Sequence, residues 1–521
     1  MTAATPSPIF PLRAQPCAMR WAAVCGIVWL VLASGAAAQQ VFQLPNLELS
    51  PNDTLPVRIA GPNLPGVDYD LYQIAGNAML EGSVELQLIN GYQPAVGDTI
   101  QFLEAQTIEQ RFRSIFFPVA PPEDVAVQLR RDDQLVSAEF VSPRFDNNYT
   151  GQIPTSLWQN PENWTQGEVP NSTNSLMLTN DSPFATRRLR VIGGPNEGFQ
   201  PATAHELVIQ GGLLPMIVEV SDSGHLSSTI RTKIDEEGRL ELVNQGSLFT
   251  GELLVGSKGT VLMDNGRIQT GKNSALVAGT LIGTGQVIGG VELLPGGLLE
   301  IQEPAGSRGG VLTIEGDYTQ SPGARLSLDL PSDNQGEYEQ LLIEGTASFG
   351  GVLQVDLTGF ETFGVGTRIE QVVHAQDVGQ GMAFRNLEVI GLPPGTYAGV
   401  EYGFGSYYAS IVGHAVGDMD GDDDFDQLDV DLFVLALRDR EAYELTPLDG
   451  GGIIGISADI TGDTDYDGDL DFDDIDEMIA LMEGSAAIYA QQVLLGITVP
   501  EPGSLSLLAL ACLVVARWRK T

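Results

Sequence analysis

The fold of this chain is decided by a pattern that is clearest in residues 238–248, GRLELVNQGSL. The stretch contains two glycines eight residues apart, and each is followed at the second position by leucine. Such Gly-x-apolar triplets recur from about residue 205 to residue 300, at steps of 14, 8, 13, 7, 13, 6 and 12 residues. Long and short steps therefore alternate, and each neighbouring pair of steps sums to roughly 20 residues.

Short strands with glycine turns at a fixed period are typical of a parallel β-helix, in which each coil stacks on the one before. Residues between the glycines also alternate in polarity, as strands with one buried face do. A sandwich of short hairpins is the alternative, because glycine turns alone do not set strand direction. The alternating step favours the β-helix. We therefore expect a mainly β protein with a β-solenoid body over 143–310.

A longer repeat flanks this body on both sides. Residues 72–88 match residues 341–357 at an offset of 269. The region 67–142 within an N-terminal β block (39–142) thus looks like a copy of a C-terminal β block (311–412). An open solenoid end exposes strand edges, so we expect the C-terminal copy to act as a cap.

The composition is strongly acidic. The 521 residues include 68 Asp and Glu against 26 Lys and Arg, a formal net charge of −42, so nucleic acid is not expected as a partner. Cys17, Cys25 and Cys512 all lie in terminal segments, and a secreted body without disulfides must rely on its packed core. The four histidines are scattered, which argues against histidine-based catalysis or a zinc site.

Residues 1–38 are typical of a secretory signal peptide. Arg13 and Arg20 precede an apolar stretch (21–32), and Ala36-Ala37-Ala38 supplies a small-residue cleavage pattern before Gln39. An N-terminal membrane anchor is the alternative, but this apolar stretch is too short to span a bilayer comfortably.

The other terminus, 499–521, combines Pro500-Glu501-Pro502, a short apolar stretch and a basic cluster. This order resembles the PEP-CTERM sorting signal. The resemblance implies recognition by an exosortase, transient membrane association through the C-terminal helix and delivery to the cell surface or extracellular matrix. A plain tail anchor is the alternative. Residues 485–498 are expected to form a linker before this segment.

Two acidic loops of 12 residues, 45 residues apart, carry the most specific signal. Both place carboxylates at positions 1, 3, 5, 9 and 12, a spacing that brings hard oxygen ligands to one calcium ion per loop. At position 7 we expect Asp424 and Asp469 to donate a backbone carbonyl. The carboxylate positions are Asp418, Asp420, Asp422, Asp426 and Asp429 in the first loop, and Asp463, Asp465, Asp467, Asp471 and Asp474 in the second.

Each loop runs into a stretch with helical apolar spacing, 430–437 and 475–482. Two such loop–helix units resemble a type I dockerin, which implies EF-hand-like binding of two calcium ions and docking to a cohesin-like module. We assign this small α domain to 413–484. Asp423 stands at position 6, where glycine is usual, so we expect a strained turn and a weaker first site. A solvated acidic tail is the alternative.

Residues 316–320 and 343–347 loosely resemble the closing segment of autotransporter-passenger-like β-helices, and the Trp158–Trp164 region resembles a motif of exported planctomycete-type proteins. These resemblances imply an adhesive or structural stalk. The two tryptophans suggest either a buried core pair or a sugar-stacking platform, and we favour the core pair.

The sequence as a whole predicts an exported, non-enzymatic structural or adhesion protein that docks through calcium and associates with extracellular polysaccharide. A polysaccharide-active β-helix enzyme or a carbohydrate-binding protein is the alternative. The acidic residues of the body are dispersed at turns and show no catalytic spacing.

Overall fold

The computed structural model describes residues 39–50, 53–151, 155–193, 202–271, 274–302, 309–334, 337–360, 362–379, 383–403, 407–446 and 457–495. The signal-peptide segment, the sorting segment and all three cysteines lie outside these residues. The protein is mainly β: of the described residues, 48% are in strands and 10% in helices. None of the described helices combines the length and apolarity needed to cross a membrane.

The strands are β1 (Val41–Leu44), β2 (Leu47–Leu49), β3 (Thr54–Ile59), β4 (Leu71–Leu80), β5 (Ser83–Leu88), β6 (Thr99–Glu109), β7 (Ser114–Phe116), β8 (Ala126–Arg131), β9 (Leu135–Val141), β10 (Thr155–Leu157), β11 (Ser175–Leu178), β12 (Arg187–Ile192), β13 (Ala202–Gln210), β14 (Met216–Ser221), β15 (His225–Asp235), β16 (Arg239–Val243), β17 (Ser247–Thr250), β18 (Leu253–Val255), β19 (Thr260–Thr270), β20 (Ala275–Val277), β21 (Thr280–Ile288), β22 (Val291–Leu293), β23 (Leu298–Glu300), β24 (Val311–Ile314), β25 (Tyr318–Gln320), β26 (Arg325–Asp329), β27 (Gln340–Ser348), β28 (Val352–Asp356), β29 (Arg368–Val378), β30 (Asn386–Ile390), β31 (Thr396–Gly403) and β32 (Tyr407–Ala415). The helices are α1 (Gln427–Arg438), α2 (Arg440–Glu444), α3 (Ala458–Thr461), α4 (Ile475–Leu481) and α5 (Gly484–Leu494), with one 3-10 turn at Pro161–Asn163.

The body is a parallel β-solenoid, as the glycine period predicts. From β10 to β30 all pairings between coils are parallel, which excludes the sandwich of hairpins. Apolar residues of successive coils stack directly on one another in the interior, and each buried leucine stabilises the fold by about 1.5–3 kcal/mol. One such row consists of Leu189, Val218, Leu240, Val261, Leu281, Leu299, Leu326, Leu353 and Leu387.

The repeated glycines lie where one coil touches the next. A Cβ atom on Gly246 would come within 2.0 Å of the carbonyl oxygen of Val220, one coil away. Any side chain there would push the coils apart and break the hydrogen bonds between them. The Gly-x-apolar triplet therefore combines a close approach of two coils with an inward-facing core residue.

The two flanking blocks have the same topology over nine strands. β1–β9 repeat the pairing of β24–β32, and both series end in an antiparallel hairpin, β8–β9 and β31–β32. The irregularity between Ile74 and Asn77 recurs between Ile343 and Thr346, at the offset of 269. The duplication thus begins at β1, upstream of the residue at which the sequence match starts.

The N-terminal copy differs where the solenoid would continue. In the C-terminal copy the carbonyl of Ser327 accepts a hydrogen bond from Ile301 of the preceding coil (3.1 Å). The equivalent residue in edge strand β3 is Pro56, which has no N–H, and its carbonyl accepts the Tyr72 hydroxyl (2.7 Å). Buried Asp70 accepts hydrogen bonds from the backbone N–H of Arg58 (3.0 Å) and from its guanidinium (2.9 Å). This edge is therefore closed against further strand pairing.

The N-terminal block packs on the side of the solenoid. Strand β7 lies against β13, β15 and β17. Glu123 forms an ion pair with Arg231, and its carbonyl oxygen contacts Nε2 of His205 at 3.0 Å. The hydroxyl of Ser172 donates to the carbonyl of Val127. The block and the solenoid thus share an interface rather than standing apart.

Trp158 and Trp164 form the expected core pair at the start of the solenoid. Their ring centroids are 5.0 Å apart, the rings meet edge to face, and both side chains are buried. The Trp164 indole N–H donates to the carbonyl of Trp158 at 2.8 Å. Neither ring is exposed as a platform for a sugar.

A small helical domain follows the solenoid. It contains α1–α5, and α5 occupies most of the segment that the sequence analysis treats as a linker. Ala486, Ala490 and Leu494 of α5 are buried against α1 and α4, so the domain extends to Leu494. The face that α5 buries has no charge and mostly small side chains, which is why it resembles a linker in sequence.

We predict that Asp70→Ala destabilises the N-terminal block by about 1–3 kcal/mol, because it removes the buried carboxylate that accepts both the backbone N–H and the guanidinium of Arg58. Hydrogen exchange of β3 and β5 amides should accelerate. The control is Asp146→Ala, which removes an exposed carboxylate 3.3 Å from Arg144 and should cost about 1 kcal/mol or less. Equal effects of the two substitutions would show that Asp70 does not hold this edge.

Candidate metal centre

The first acidic loop begins two residues after β32 and ends in the first turn of α1. The Asp418 carboxylate is buried and accepts backbone N–H groups from Gly421 (2.8 Å) and Asp423 (3.1 Å). These bonds wrap the loop around its first carboxylate. Asp418 is therefore held at the centre of the loop by the backbone itself.

The last carboxylate closes the loop. Asp429 is buried and accepts N–H groups from Met419 (2.6 Å) and Asp426 (2.7 Å). Asp426 in turn caps α1 by accepting the N–H of Leu428 at 2.6 Å. Both carboxylates lie at a helix N-terminus, where negative charge is stabilised.

The second loop repeats these contacts almost atom for atom. Asp463 accepts N–H groups from Asp467 (3.0 Å) and Gly468 (3.0 Å). Asp474 is buried and accepts from Thr464 (2.6 Å) and Asp471 (2.8 Å). Two sequences that share only their carboxylate spacing thus fold into equivalent loops.

Each loop needs two residues in the left-handed region. In the first loop these are Gly421 (φ +73°) and Asp423 (φ +67°), and in the second Tyr466 (φ +63°) and Gly468 (φ +109°). The expected strain at Asp423 is confirmed, and it costs about 1–2 kcal/mol for a non-glycine residue. Tyr466 carries the same kind of strain at position 4. Backbone strain therefore does not rank the first loop below the second.

The carboxylates form three groups whose ligand atoms lie within 4.8 Å of one another: Asp418, Asp420 and Asp422; Asp424, Asp426 and Asp429; and Asp463, Asp465 and Asp474. In the first loop, all six predicted residues take part. In the second loop, the described side chains of Asp467, Asp469 and Asp471 are exposed and join no such group.

The first loop contains buried carboxylates whose negative charge no cation of the described residues balances fully. Oδ1 of Asp420 is buried and has no hydrogen-bond partner. Burial and the neighbouring charges of Asp422 and Asp418 raise the pKa of Asp420 to about 6. Burial also raises the pKa of Asp429 to about 7, although two backbone N–H groups act in the opposite direction. An all-oxygen donor set with an unpaired buried oxygen fits a hard metal ion.

The structure adds His414, which the sequence analysis leaves out of the site. Its Nδ1 lies 3.1 Å from Oδ1 of Asp423 and 3.6 Å from Oδ2 of Asp418, so one cluster joins these three residues. Burial lowers the pKa of His414, but hydrogen bonds and charge from Asp418 and Asp423 outweigh it and raise the pKa overall. His414 lies in β32, before the 12-residue loop begins, so the carboxylate spacing of the loop gives no reason to include it.

The first loop is also joined to the solenoid cap. The Tyr397 hydroxyl of β31 donates to the carbonyl of Asp418 at 2.5 Å, and the Tyr397 ring stacks on His414 with centroids 5.1 Å apart. Tyr466 of the second loop approaches Gly395, the residue before β31. A Cβ atom on Gly395 would lie 3.1 Å from the Tyr466 hydroxyl oxygen. Both loops therefore touch the hairpin that ends the solenoid.

Further contacts join the loops to each other. Gly417 donates its N–H to the carbonyl of Thr461 (2.7 Å), just before the second loop. The Tyr443 hydroxyl contacts the carbonyl of Met419 (3.0 Å) and the hydroxyl of Thr461 (2.7 Å). At position 8 of the two loops, Leu470 is buried and Phe425 is half-buried.

Comparison with known proteins gives no relatives: no family model matches the chain, and no curated protein matches it. The site must therefore be interpreted from its own residues.

We predict that Asp429 makes the cation-free domain lose stability as pH rises. Its folded pKa of about 7 exceeds the value of 3.8 for an unperturbed carboxyl, so between these pH values the folded state holds a proton that the unfolded chain releases. The stabilisation is complete below about pH 4 and is lost by about pH 7.

The measurement is urea unfolding in a chelator at several pH values. Asp429→Asn should flatten the fall in stability between pH 4 and pH 7, whereas the control Asp476→Asn, on an exposed face of α4, should leave it unchanged. Identical profiles for the two variants would contradict the assignment.

Proposed function

We propose that the chain is an exported structural or adhesion protein, and that its helical domain is a calcium-dependent docking module. The observation that carries the proposal is the repeated cage, in which backbone N–H groups hold the first and last carboxylates of both loops. Such organisation without a bound cation leaves like charges facing one another. A divalent cation relieves that repulsion.

The residues that would hold calcium differ between the loops. In the first loop they are the carboxylates grouped around Asp418 and Asp429, with the unpaired oxygen of Asp420 among them. In the second loop they are those of Asp463, Asp465 and Asp474. Calcium fits this donor set, because it prefers six to eight hard oxygen ligands, roughly, and the groups contain no sulfur.

The helical domain also offers a surface for a protein partner. Leu428, Ile488 and Leu495 are 50%, 61% and 63% exposed on the outside of the domain. A cohesin-like module is the partner that the dockerin-like sequence suggests. Because α5 covers part of α1 and α4, such a partner would contact α5 as well as the two loop helices.

The remaining parts fit an extracellular role. The proposed secretory signal and the exosortase-recognised sorting segment would deliver the protein to the cell surface or the extracellular matrix. A solenoid closed at its C-terminal end and carrying a laterally packed β block suits a rigid spacer. In this account the solenoid holds the docking module away from the point of attachment.

We predict two calcium-binding events when the full chain is titrated by calorimetry. Asp418→Ala and Asp463→Ala should each abolish one event, because each removes the carboxylate around which its loop is wrapped. Thermal unfolding of the helical domain should shift upward with calcium, since an ion that binds only the folded state stabilises it.

Asp476→Ala serves as the matched control, because it removes one negative charge from α4 outside both groups. It should retain both binding events. Absence of binding at millimolar calcium, or equal loss in all three variants, would reject the calcium module and leave only a diffuse acidic surface.

A further inference from the structure

A cluster of basic side chains lies at the interface between the N-terminal block and the solenoid. His225 of β15, Ser247 of β17 and Arg267 of β19 are paired in register on three successive coils. Arg113, the residue before β7, faces them from the N-terminal block. In a chain with a net charge of −42, a cluster of basic side chains is unusual and suggests an anionic ligand.

The cluster is organised around one aromatic ring. The ring of buried Phe249 lies with its centroid 5.8 Å from that of His225 and 5.9 Å from the guanidinium carbon of Arg267. The charges of Arg113 and Arg267 both act on the imidazole of His225, after burial, to lower its pKa to about 4. The Arg267 guanidinium and the His225 imidazole therefore lie against one ring, and Arg113 precedes the strand β7 that packs on β15 and β17.

The nitrogen atoms at this place lack partners among the described residues. His225 is 8% exposed, yet neither Nδ1 nor Nε2 has a hydrogen-bond partner, and the same holds for Nε of Arg267. Arg113 forms an ion pair with Glu81 in which the nitrogen and oxygen atoms are 3.8 Å apart, a long distance for such a pair. Buried polar nitrogens without partners are rare and costly in proteins, so an oxygen-rich ligand would satisfy them.

Two other arginines of the solenoid, Arg231 at this interface and Arg239 on β16, have carboxylates within ion-pair distance, although their Nε atoms also lack a hydrogen-bond partner among the described residues. Arg231 pairs with Glu123 and with Glu206 (3.3 Å), and Arg239 pairs with Glu241 (2.8 Å). The solenoid surface thus neutralises these arginines with its own carboxylates. At Arg267 it forms no ion pair within the described part of the chain: the guanidinium reaches the side-chain oxygen of Gln269 at 3.5 Å, and only the charge of Glu315 acts on it from further away.

We propose that the basic cluster of Arg113, His225 and Arg267, where the N-terminal block meets the solenoid, binds an oxyanion, either free sulfate or the carboxylate of an acidic polysaccharide. Guanidinium groups bind such oxyanions through charge-assisted hydrogen bonds, and His225 supplies a further donor. Phe249 provides an apolar wall beside the anion. This site is independent of the acidic loops, and an oxyanion that belongs to a polysaccharide would place that polysaccharide between the N-terminal block and the solenoid.

The test is calorimetric titration of the purified full chain with sodium sulfate, using sodium chloride at matched ionic strength as the blank. A second arm uses an oligogalacturonate, which carries carboxylates, against its neutral methyl ester. Saturable binding of sulfate alone indicates a free-anion site, and tighter binding of the oligogalacturonate indicates a polysaccharide site. Both results support the proposal.

Arg267→Gln and Arg113→Gln should each weaken binding about tenfold or more, because each removes a charge-assisted contact. Arg231→Gln is the matched control: it removes the same charge from the same interface at an arginine that already has carboxylate partners, and affinity should change less than about twofold. Circular dichroism of every variant checks the fold. Arg113 belongs to the N-terminal block, so Arg113→Gln leaves the coils of the solenoid unchanged. Absence of saturable binding in both arms, or equal weakening by Arg231→Gln and Arg267→Gln, would overturn the proposal.

Discussion

Every strand of the solenoid depends on hydrogen bonds to the coils before and after it, because parallel strands of one coil do not pair with each other. This constraint explains the glycines at coil contacts and the continuous interior rows of leucine and valine. It also makes both ends of a parallel stack a liability, since each end presents unpaired N–H and carbonyl groups. The protein uses one nine-strand design twice: the C-terminal copy ends the solenoid, whereas the N-terminal copy packs on its side and closes an edge of its own. The C-terminal copy continues the stack and stops it with the β31–β32 hairpin. In the N-terminal copy, Pro56, Tyr72 and Asp70 close the edge of β3 instead.

The closing hairpin at the C-terminal end is also the support of the acidic loops. Val416 and Gly417 alone separate β32 from Asp418, and Tyr397 of β31 bonds to the Asp418 carbonyl. His414 contacts both Asp418 and Asp423. The helical domain is therefore built onto the solenoid cap rather than attached through a long tether. In the proposed function, order in the loops and order in the cap depend on each other through these contacts.

Much of this architecture follows from local sequence rules. The period near 20 predicts the parallel coils, the offset of 269 predicts the paired blocks, and carboxylate spacing identifies the residues of both loops. The remaining features depend on contacts between distant residues. Strands as short as Leu47–Leu49 carry too few residues for a periodic signal, so the first strands of the duplication are missed. The apolar face of α5 is made of alanines, and its burial depends on α1 and α4. His414 and Tyr466 acquire their roles from tertiary contacts, which no spacing within either loop encodes.

The central claim is that the acidic loops and the solenoid cap form one coupled unit. Hydrogen–deuterium exchange of the full chain, with calcium and with chelator, tests it most directly. We predict that calcium slows exchange in both loops and also in β31 and β32, while β14 and β16, several coils away from the cap, do not change. Slower exchange confined to the loops, with β31 and β32 unaffected, would contradict the coupling even if calcium binds.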